Sequence, residues 1–494
     1  MSEKYVLGID QSTQGTKALL FDKNGLLLAR CDLPHKQHIN ENGWVSHDGN
    51  EIYGNILKLI QMVVDKAAID KKDIVCAGIS NQRETSIAWE EETGIPIAPA
   101  IVWQCSRAKE IVEKLEKDGY NTMVREKTGI PLSPYFPAAK IAWILKNVNG
   151  AEDKELEGKL KYGTMDSYLV YRLTGGVSYK TDYSNASRTQ LFNLRSLKWD
   201  NVIGKIFGIN TENLPEVCDS NADFGETDFN GYLDGKIPIL SVLGDSHGAL
   251  YAQGCHEEGM VKATYGTGSS IMMNIGEKLI HSGQGLVTSL AWGLDGKVQY
   301  VLEGNLNYTG AVVSWLKEDL KLIQSAGETE ELALSANPFD TTYLVPAFTG
   351  LGAPYWKNDA KALLAGMSRT TGRAEIVRAA LDCIAYQITD IILAMSEDAG
   401  IPIYGLRVDG GPTRNRYLMQ LQSDLAGIPV HVPDAEELSG MGAAFSAGIR
   451  YGLYKKDEIF HNINRKEFKP SMLAEQKEKK YRGWKQAVSL ITDK

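Results

Sequence analysis

Tyr5-Val6-Leu7-Gly8-Ile9-Asp10-Gln11-Ser12-Thr13-Gln14-Gly15-Thr16-Lys17-Ala18-Leu19-Leu20-Phe21 decides the architecture of this chain. Residues 5–9 are an apolar run that ends on the carboxylate of Asp10. A polar loop with three hydroxyls, a glycine and a lysine follows, and 18–21 is a second apolar run. Asp22-Lys23-Asn24-Gly25 then reads as a turn and Leu26–Ala29 as a third strand. Asn-Gly between apolar runs is a strong hairpin signal, because both residues accept the positive φ of a tight turn. Two antiparallel hairpins in series are therefore predicted. Ile52, Ile56, Leu59, Ile60 and Val63 make one helical stripe, with Asp48 and Glu51 spaced as a capping box. Ile74–Ile79 reads as a central parallel strand. Three strands, a helix and a parallel strand in that order predict an α/β domain.

The second half repeats the theme. Ile237–Leu243 is an apolar run ending at Gly244-Asp245, again a strand that delivers a carboxylate. Met260–Tyr265 leads into the loop Gly266-Thr267-Gly268-Ser269-Ser270, and Leu406–Asp409 empties into Gly410-Gly411. Ile376, Ala380, Cys383, Gln387 and Ile391 mark a long helix. Leu418, Leu421 and Leu425 mark another, which Gly427 can end in the left-handed conformation. The chain is expected to form two similar α/β lobes, residues 1–246 and 247–494.

Composition narrows the function. There are 53 basic against 62 acidic residues, a net charge of −9, which argues against a nucleic-acid binder with its basic face. No run approaches the ~18 uninterrupted apolar residues of a membrane span, and the first residues lack the apolar core of a secretory signal. The six cysteines are scattered with no paired motif, as in a reduced, cytoplasmic protein. Glycine is in excess at 48 of 494 residues, against a usual share of about 7%. Three glycine- and hydroxyl-bearing loops follow strands, at 10–17, 266–270 and 409–415. Such loops offer N–H and O–H donors to phosphate, and a backbone without Cβ can approach an anion closely. Their order resembles the actin-like (ribonuclease H-like) ATPases, in which two lobes hold nucleotide in an interdomain cleft.

Longer motifs carry a more specific resemblance. Gly78–Thr85, Ala100–Cys105, Tyr135–Trp143, Thr181–Arg188, Pro346–Trp356 and Arg407–Gly411 resemble signature stretches of the FGGY family of carbohydrate kinases, and of its glycerol kinases in particular. The likeness runs from residue 4 to residue 487. It implies an ATP-dependent transfer of phosphoryl to a small polyol or sugar, with Mg²⁺. By this likeness Asp245 is the general base and Asp10 the carboxylate that organises magnesium. Thr13, Gln14, Gly15 and Lys17 face the phosphates from the first lobe, and Thr267, Gly310, Gly411 and Asn415 hold nucleotide from the second. Arg83, Glu84 and Tyr135 contact substrate hydroxyls, and Trp103 is an apolar wall. His247, beside the base, is expected to pack rather than react.

Two positions depart from the glycerol kinases. They carry a glutamine after the catalytic aspartate, where Ser246 stands here, and a phenylalanine where Ser270 stands. Losing an aromatic side chain, which buries about 150–250 Å², leaves room for another carbon or two with their hydroxyls. A four- or five-carbon polyol or ketose is thus expected beside glycerol. The glycine-arginine loop at which some glycerol kinases bind a sugar bisphosphate has no good counterpart in Phe229–Lys236. The competing reading is an actin-like nucleotide-switch ATPase without sugar kinase activity, which leaves Arg83, Glu84, Trp103 and Tyr135 unexplained. A homo-oligomer, dimer or tetramer, is expected, with neither membrane nor nucleic acid as partner.

Overall fold

The computed structural model describes residues 3–357 and 359–493. Strand Tyr5–Gln11 pairs antiparallel with Gly15–Phe21, which pairs antiparallel with Leu27–Pro34. The third strand starts at Leu27 because the Asp22 carboxylate closes the turn, accepting from Asn24 N and Leu26 N at 2.8 Å each. Ile74–Asn81 adds in parallel beside the first strand and Ile237–Gly244 in parallel beside that. The second sheet repeats the plan. Val261–Tyr265 is flanked on one side by the antiparallel strands Ser269–Asn274 and Lys297–Leu306, and on the other by the parallel strands Leu406–Asp409 and Val430–Pro433. The spatial order third-second-first-fourth-fifth recurs in both halves, which is the duplicated actin-like α/β architecture anticipated from the loops.

Alternation along the first strand distributes its side chains. Tyr5, Leu7 and Ile9 pack with Ile52, Ile56 and Leu59 of helix Gly49–Ala67. Asp48 caps that helix, accepting from Asn50 N at 2.8 Å. Only half of the predicted capping box forms: the Glu51 carboxylate accepts from Lys36 N instead, at 3.2 Å to each oxygen. Val6 lies on the opposite face with Leu19 and Phe21, against Met441, Ala444 and Phe445 of helix Leu438–Tyr451. A helix from the last sixty residues thus covers the first sheet.

That crossing consumes glycine. A Cβ on Gly78, in the sheet, would stand 2.2 Å from the Ala443 oxygen, and one on Gly442 would stand 1.9 Å from the carbonyl oxygen of Gly248, on helix Asp245–Ala252. Part of the glycine excess therefore serves backbone-to-backbone packing rather than ligand binding.

A smaller five-stranded sheet stands beside the first. Its strand Ser86–Glu90 follows the loop 82–85, and its strand Ala100–Ile101 leads to Trp103. Among the described residues no helix is long and apolar enough to cross a membrane, and all six cysteines are free.

Candidate active site

The period of the strand delivers the first carboxylate. Gly8 shares the face of Val6 and lies against Gly440; Asp10, two residues on, also meets Gly440. Its parallel register partner is Ser80, whose hydroxyl donates to Asp10 Oδ1 at 3.1 Å. Asp10 Oδ2 is 3.6 Å from Lys17 Nζ, which also pairs with Glu437. Burial pushes the Asp10 carboxyl up to about 6 against the pull of Lys17. Burial works against the charge of Lys17, but Asp10 and Glu437 hold its pKa above the ordinary value.

Asp10, Lys17, Asp245, Ser246, Asp409 and Gly411 line one cleft of about 990 Å³. Gly410 has φ +101°, and a Cβ there would stand 2.0 Å from the Tyr265 oxygen, so only glycine turns the chain here. A Cβ on Gly411 would meet nothing within 4 Å, which leaves its backbone open to a ligand. A surface groove of about 1250 Å³ around Trp143 and Lys146 contains none of the predicted residues.

The other predicted nucleotide residues fall into two groups. Thr13, Gln14 and Gly15 sit at or beside the tip of the first hairpin. Thr267 and Gly310 are brought together: the Thr267 carbonyl accepts from Thr309 N and Ala311 N at 3.0 Å, and Gly310 N donates to Gly266 O at 2.9 Å. The Gly310 N–H is thereby already engaged. Asn415 caps helix Arg416–Ala426, accepting from Leu418 N at 2.9 Å while its amide donates to Thr329 Oγ1 at 3.0 Å.

Around the second carboxylate the charges are dense. Arg83 donates in a bidentate pair to Glu303, at 2.9 and 2.8 Å, and its Nε is 3.3 Å from Asp245 Oδ1. Arg188 donates to Glu84 Oε1 at 2.6 Å and reaches Glu303 Oε2 at 2.9 Å. Ser270 Oγ donates to Glu303 Oε1 at 3.3 Å. Glu84 has φ +59°, held in a three-residue turn by Thr85 N donating to Arg83 O at 2.8 Å. Such a turn costs of order 1–3 kcal/mol and persists only where its surroundings enforce it. Lys140, fully buried, supplies part of that enforcement by donating to Glu84 O at 3.2 Å and to Tyr135 O. Burial pushes its pKa down to about 7.

Asp245 is the accessible member of the cluster, its side chain 33% exposed. Burial raises its carboxyl pKa, and Arg83 offsets part of the rise. Against burial, Arg188 and Arg83 hold Glu303 well below the usual range. Ser246 N donates to Asp245 Oδ1 at 2.6 Å. Trp103 and Tyr135 stand with ring centroids 5.5 Å apart, and the Trp103 indole N–H donates to Thr13 Oγ1 at 2.9 Å. His247 is fully buried, and among the described residues neither ring nitrogen has a hydrogen-bond partner. Burial depresses its pKa well below the ordinary value, so the ring is neutral.

Several members of the site had no role in the sequence reading, among them Glu303, Glu437, Arg188 and Lys140. Arg188 and Lys140 lie inside motifs quoted for the resemblance. Glu303 had one signal, a lone carboxylate directly after the apolar run Tyr300-Val301-Leu302.

The comparisons with known proteins agree along the whole chain. Residues 5–251 match the model described as FGGY family of carbohydrate kinases, N-terminal domain, and residues 261–451 match the corresponding C-terminal domain. The chain belongs to the FGGY family of carbohydrate kinases. It is 43% identical over 488 residues to a glycerol kinase of Geobacillus sp. (strain WCH70), covering 98% of each chain. It is 44% identical over 489 residues to a glycerol kinase of Bacillus velezensis, covering 99% of each. The crystal structure of Plasmodium falciparum glycerol kinase with ADP superposes with a TM-score of 0.93 at 34% identity, covering 99% of this chain and 98% of that one. This FGGY kinase is a phosphotransferase with an alcohol acceptor, and the reading as a switch ATPase without kinase activity falls away.

Proposed function

We propose that this kinase moves the γ-phosphoryl group of ATP to a terminal hydroxyl of a small polyol, either glycerol or a four- to five-carbon analogue. The observation that carries the reading is Asp245, an accessible carboxylate with a raised pKa that shares one cleft with Asp10, Lys17 and Gly411. Phosphoryl transfer asks a protein mainly for positioning and charge stabilisation, with a base for the attacking hydroxyl. Asp245 takes that proton as the hydroxyl oxygen bonds to the γ-phosphorus and the bond to the leaving ADP oxygen breaks. Arg83, Glu84 and Tyr135 hold the polyol hydroxyls, and the faces of Trp103 and Tyr135 cover its C–H side.

For the nucleotide, Lys17, the tip residues Thr13, Gln14 and Gly15, and the backbone at Gly411 supply donors on the two sides of the cleft. Thr267, Gly310 and Asn415 are assigned to the second side by family likeness. Asp10 fits magnesium, which takes oxygen ligands from one or two carboxylates and keeps several waters. When bound, the ion would neutralise charge on the phosphates.

Ser246 and Ser270 favour an acceptor longer than glycerol, since both are small where glycerol kinases carry a glutamine and a phenylalanine. The test is a coupled ADP-release screen over glycerol, erythritol, threitol, the pentitols and the ketopentoses. Turnover on at least one is expected, and ADP release that ignores every acceptor would overturn the reading. The division into lobes at 246/247, a cytoplasmic location and a homo-oligomeric state (dimer or tetramer) belong to the same proposal. Light scattering of the purified chain tests the last.

A further inference from the structure

Thr13 is held from two directions, and both holds lead back to the loop that carries Arg83 and Glu84. On one side the Trp103 indole N–H donates to Thr13 Oγ1 at 2.9 Å, and Trp103 N donates to Thr85 Oγ1 at 3.3 Å. Thr85 Oγ1 in turn donates to Gln82 Oε1 at 3.1 Å. On the other side Gln82 Nε2 meets His47 Nδ1 at 3.1 Å, the His47 ring packs edge-on against His35 at 4.5 Å, and His35 Nε2 meets the Thr13 carbonyl at 2.9 Å. The result is a closed ring of residues, Thr13–Trp103–Thr85–Gln82–His47–His35, with the phosphate hairpin at one end and the substrate loop at the other. Gln82, Thr85, His35 and His47 are buried, and a hydrogen bond out of water is costly to leave unmade.

We propose that the Trp103 indole N–H is a positioning donor that sets Thr13 at the tip of the first phosphate hairpin, so that the ring walling the polyol also registers the nucleotide phosphates for attack. Trp103 then does two separable things. Its face covers the substrate, which any aromatic ring could do. Its N–H fixes a side-chain hydroxyl at the tip of a loop whose backbone is tethered by His35, through the Thr13 carbonyl at 2.9 Å and the Gln14 carbonyl at 3.3 Å. The inference rests on the kinase reading of the site and adds to it a coupling between its two halves.

The experiment is steady-state kinetics on Trp103→Phe, Thr13→Val and the double variant, with the polyol that turns over fastest. Trp103→Phe keeps the wall and loses the donor. Its expected signature is a fall in kcat of about 3- to 10-fold, the weight of one neutral hydrogen bond, with polyol KM within threefold of the wild type. In the Thr13→Val background the same change is expected to cost nothing further, because donor and acceptor act as one pair. Substituting benzothienylalanine at 103 replaces N–H by sulfur in a ring of the same shape, so its kcat should fall like that of Trp103→Phe without any packing change. Losses that multiply in the double variant, or a raised KM with unchanged kcat, would overturn the coupling while leaving the kinase reading intact. A wild type with no polyol-dependent ADP release would refute the kinase reading, and the coupling with it.

Discussion

Glu303 joins the two halves of this kinase through charge, and replacing it by alanine tests that role. The carboxylate lies on strand Lys297–Leu306 of the second sheet, while Arg83 and Arg188 belong to the first half. Glu303 is 0% exposed and accepts two short bonds from Arg83, with Arg188 at 2.9 Å. Removing one partner of a buried ion pair costs about 3–5 kcal/mol, because the charge left behind cannot recover its hydration. Part of that loss is recovered here, since Arg188 retains Glu84 at 2.6 Å and Arg83 retains Asp245 at 3.3 Å. A destabilisation of roughly 3 kcal/mol is therefore expected from urea unfolding at pH 7.

The kinetic consequence is more specific. Freed from Glu303, Arg83 is drawn onto Asp245, the remaining carboxylate in reach. Its positive charge then favours the ionised base and lowers the Asp245 pKa. In the wild type that pKa is raised, so the acid limb of kcat/KM, where the base becomes protonated, lies above the ordinary aspartate value. In Glu303→Ala the limb moves to lower pH, while kcat falls because a base held by Arg83 is a weaker proton acceptor. Glu303→Gln should show the same direction with a smaller loss of stability. An unfolding midpoint and an acid limb both unchanged in Glu303→Ala would refute the argument.

Two further outcomes follow from the packing and the pocket. Gly442→Ala places a methyl 1.9 Å from the Gly248 carbonyl, backbone against backbone, so a shift of the crossing helices is unavoidable. A loss of about 1–3 kcal/mol is expected from the unfolding midpoint, and an unchanged midpoint would contradict the close crossing. The double variant Ser246→Gln/Ser270→Phe should raise kcat/KM for glycerol relative to erythritol and the pentitols. Equal ratios in the variant and the wild type would remove the case for a longer acceptor.

The fold was largely legible because its signals are local. An apolar run ending on Asp10, the Asn24-Gly25 turn and the Ile52–Val63 stripe each depend on neighbours in sequence, and the second half repeats the first. The crossing of Leu438–Tyr451 over the first sheet was not legible, since Gly78 meets Ala443 from the far end of the chain and glycine alone does not say what it faces. The family likeness supplied Asp10, Asp245, Arg83 and Glu84; Asp10 and Asp245 line one cleft, Arg83 stands against Asp245, and Glu84 is joined to Arg83 through Arg188 and Glu303. The motifs could not supply the electrostatic partners. Glu303 owes its role to ion pairs with Arg83 and Arg188, both far from it in sequence, and Lys140 to two carbonyls from separate segments. Thr13 and Trp103 were both singled out, but as a phosphate contact and a substrate wall; their hydrogen bond is a fact of three dimensions.

The most direct measurement of the central claim compares polyol-dependent ADP release by the wild type and by Asp245→Asn, alongside the nucleotide affinity of each. The amide keeps the size of the side chain and removes its basicity. Turnover is predicted to fall by about 10²- to 10⁴-fold, the usual contribution of a general base, with nucleotide affinity nearly unchanged. An Asp245→Asn enzyme that turns over polyol at the wild-type rate would contradict the account.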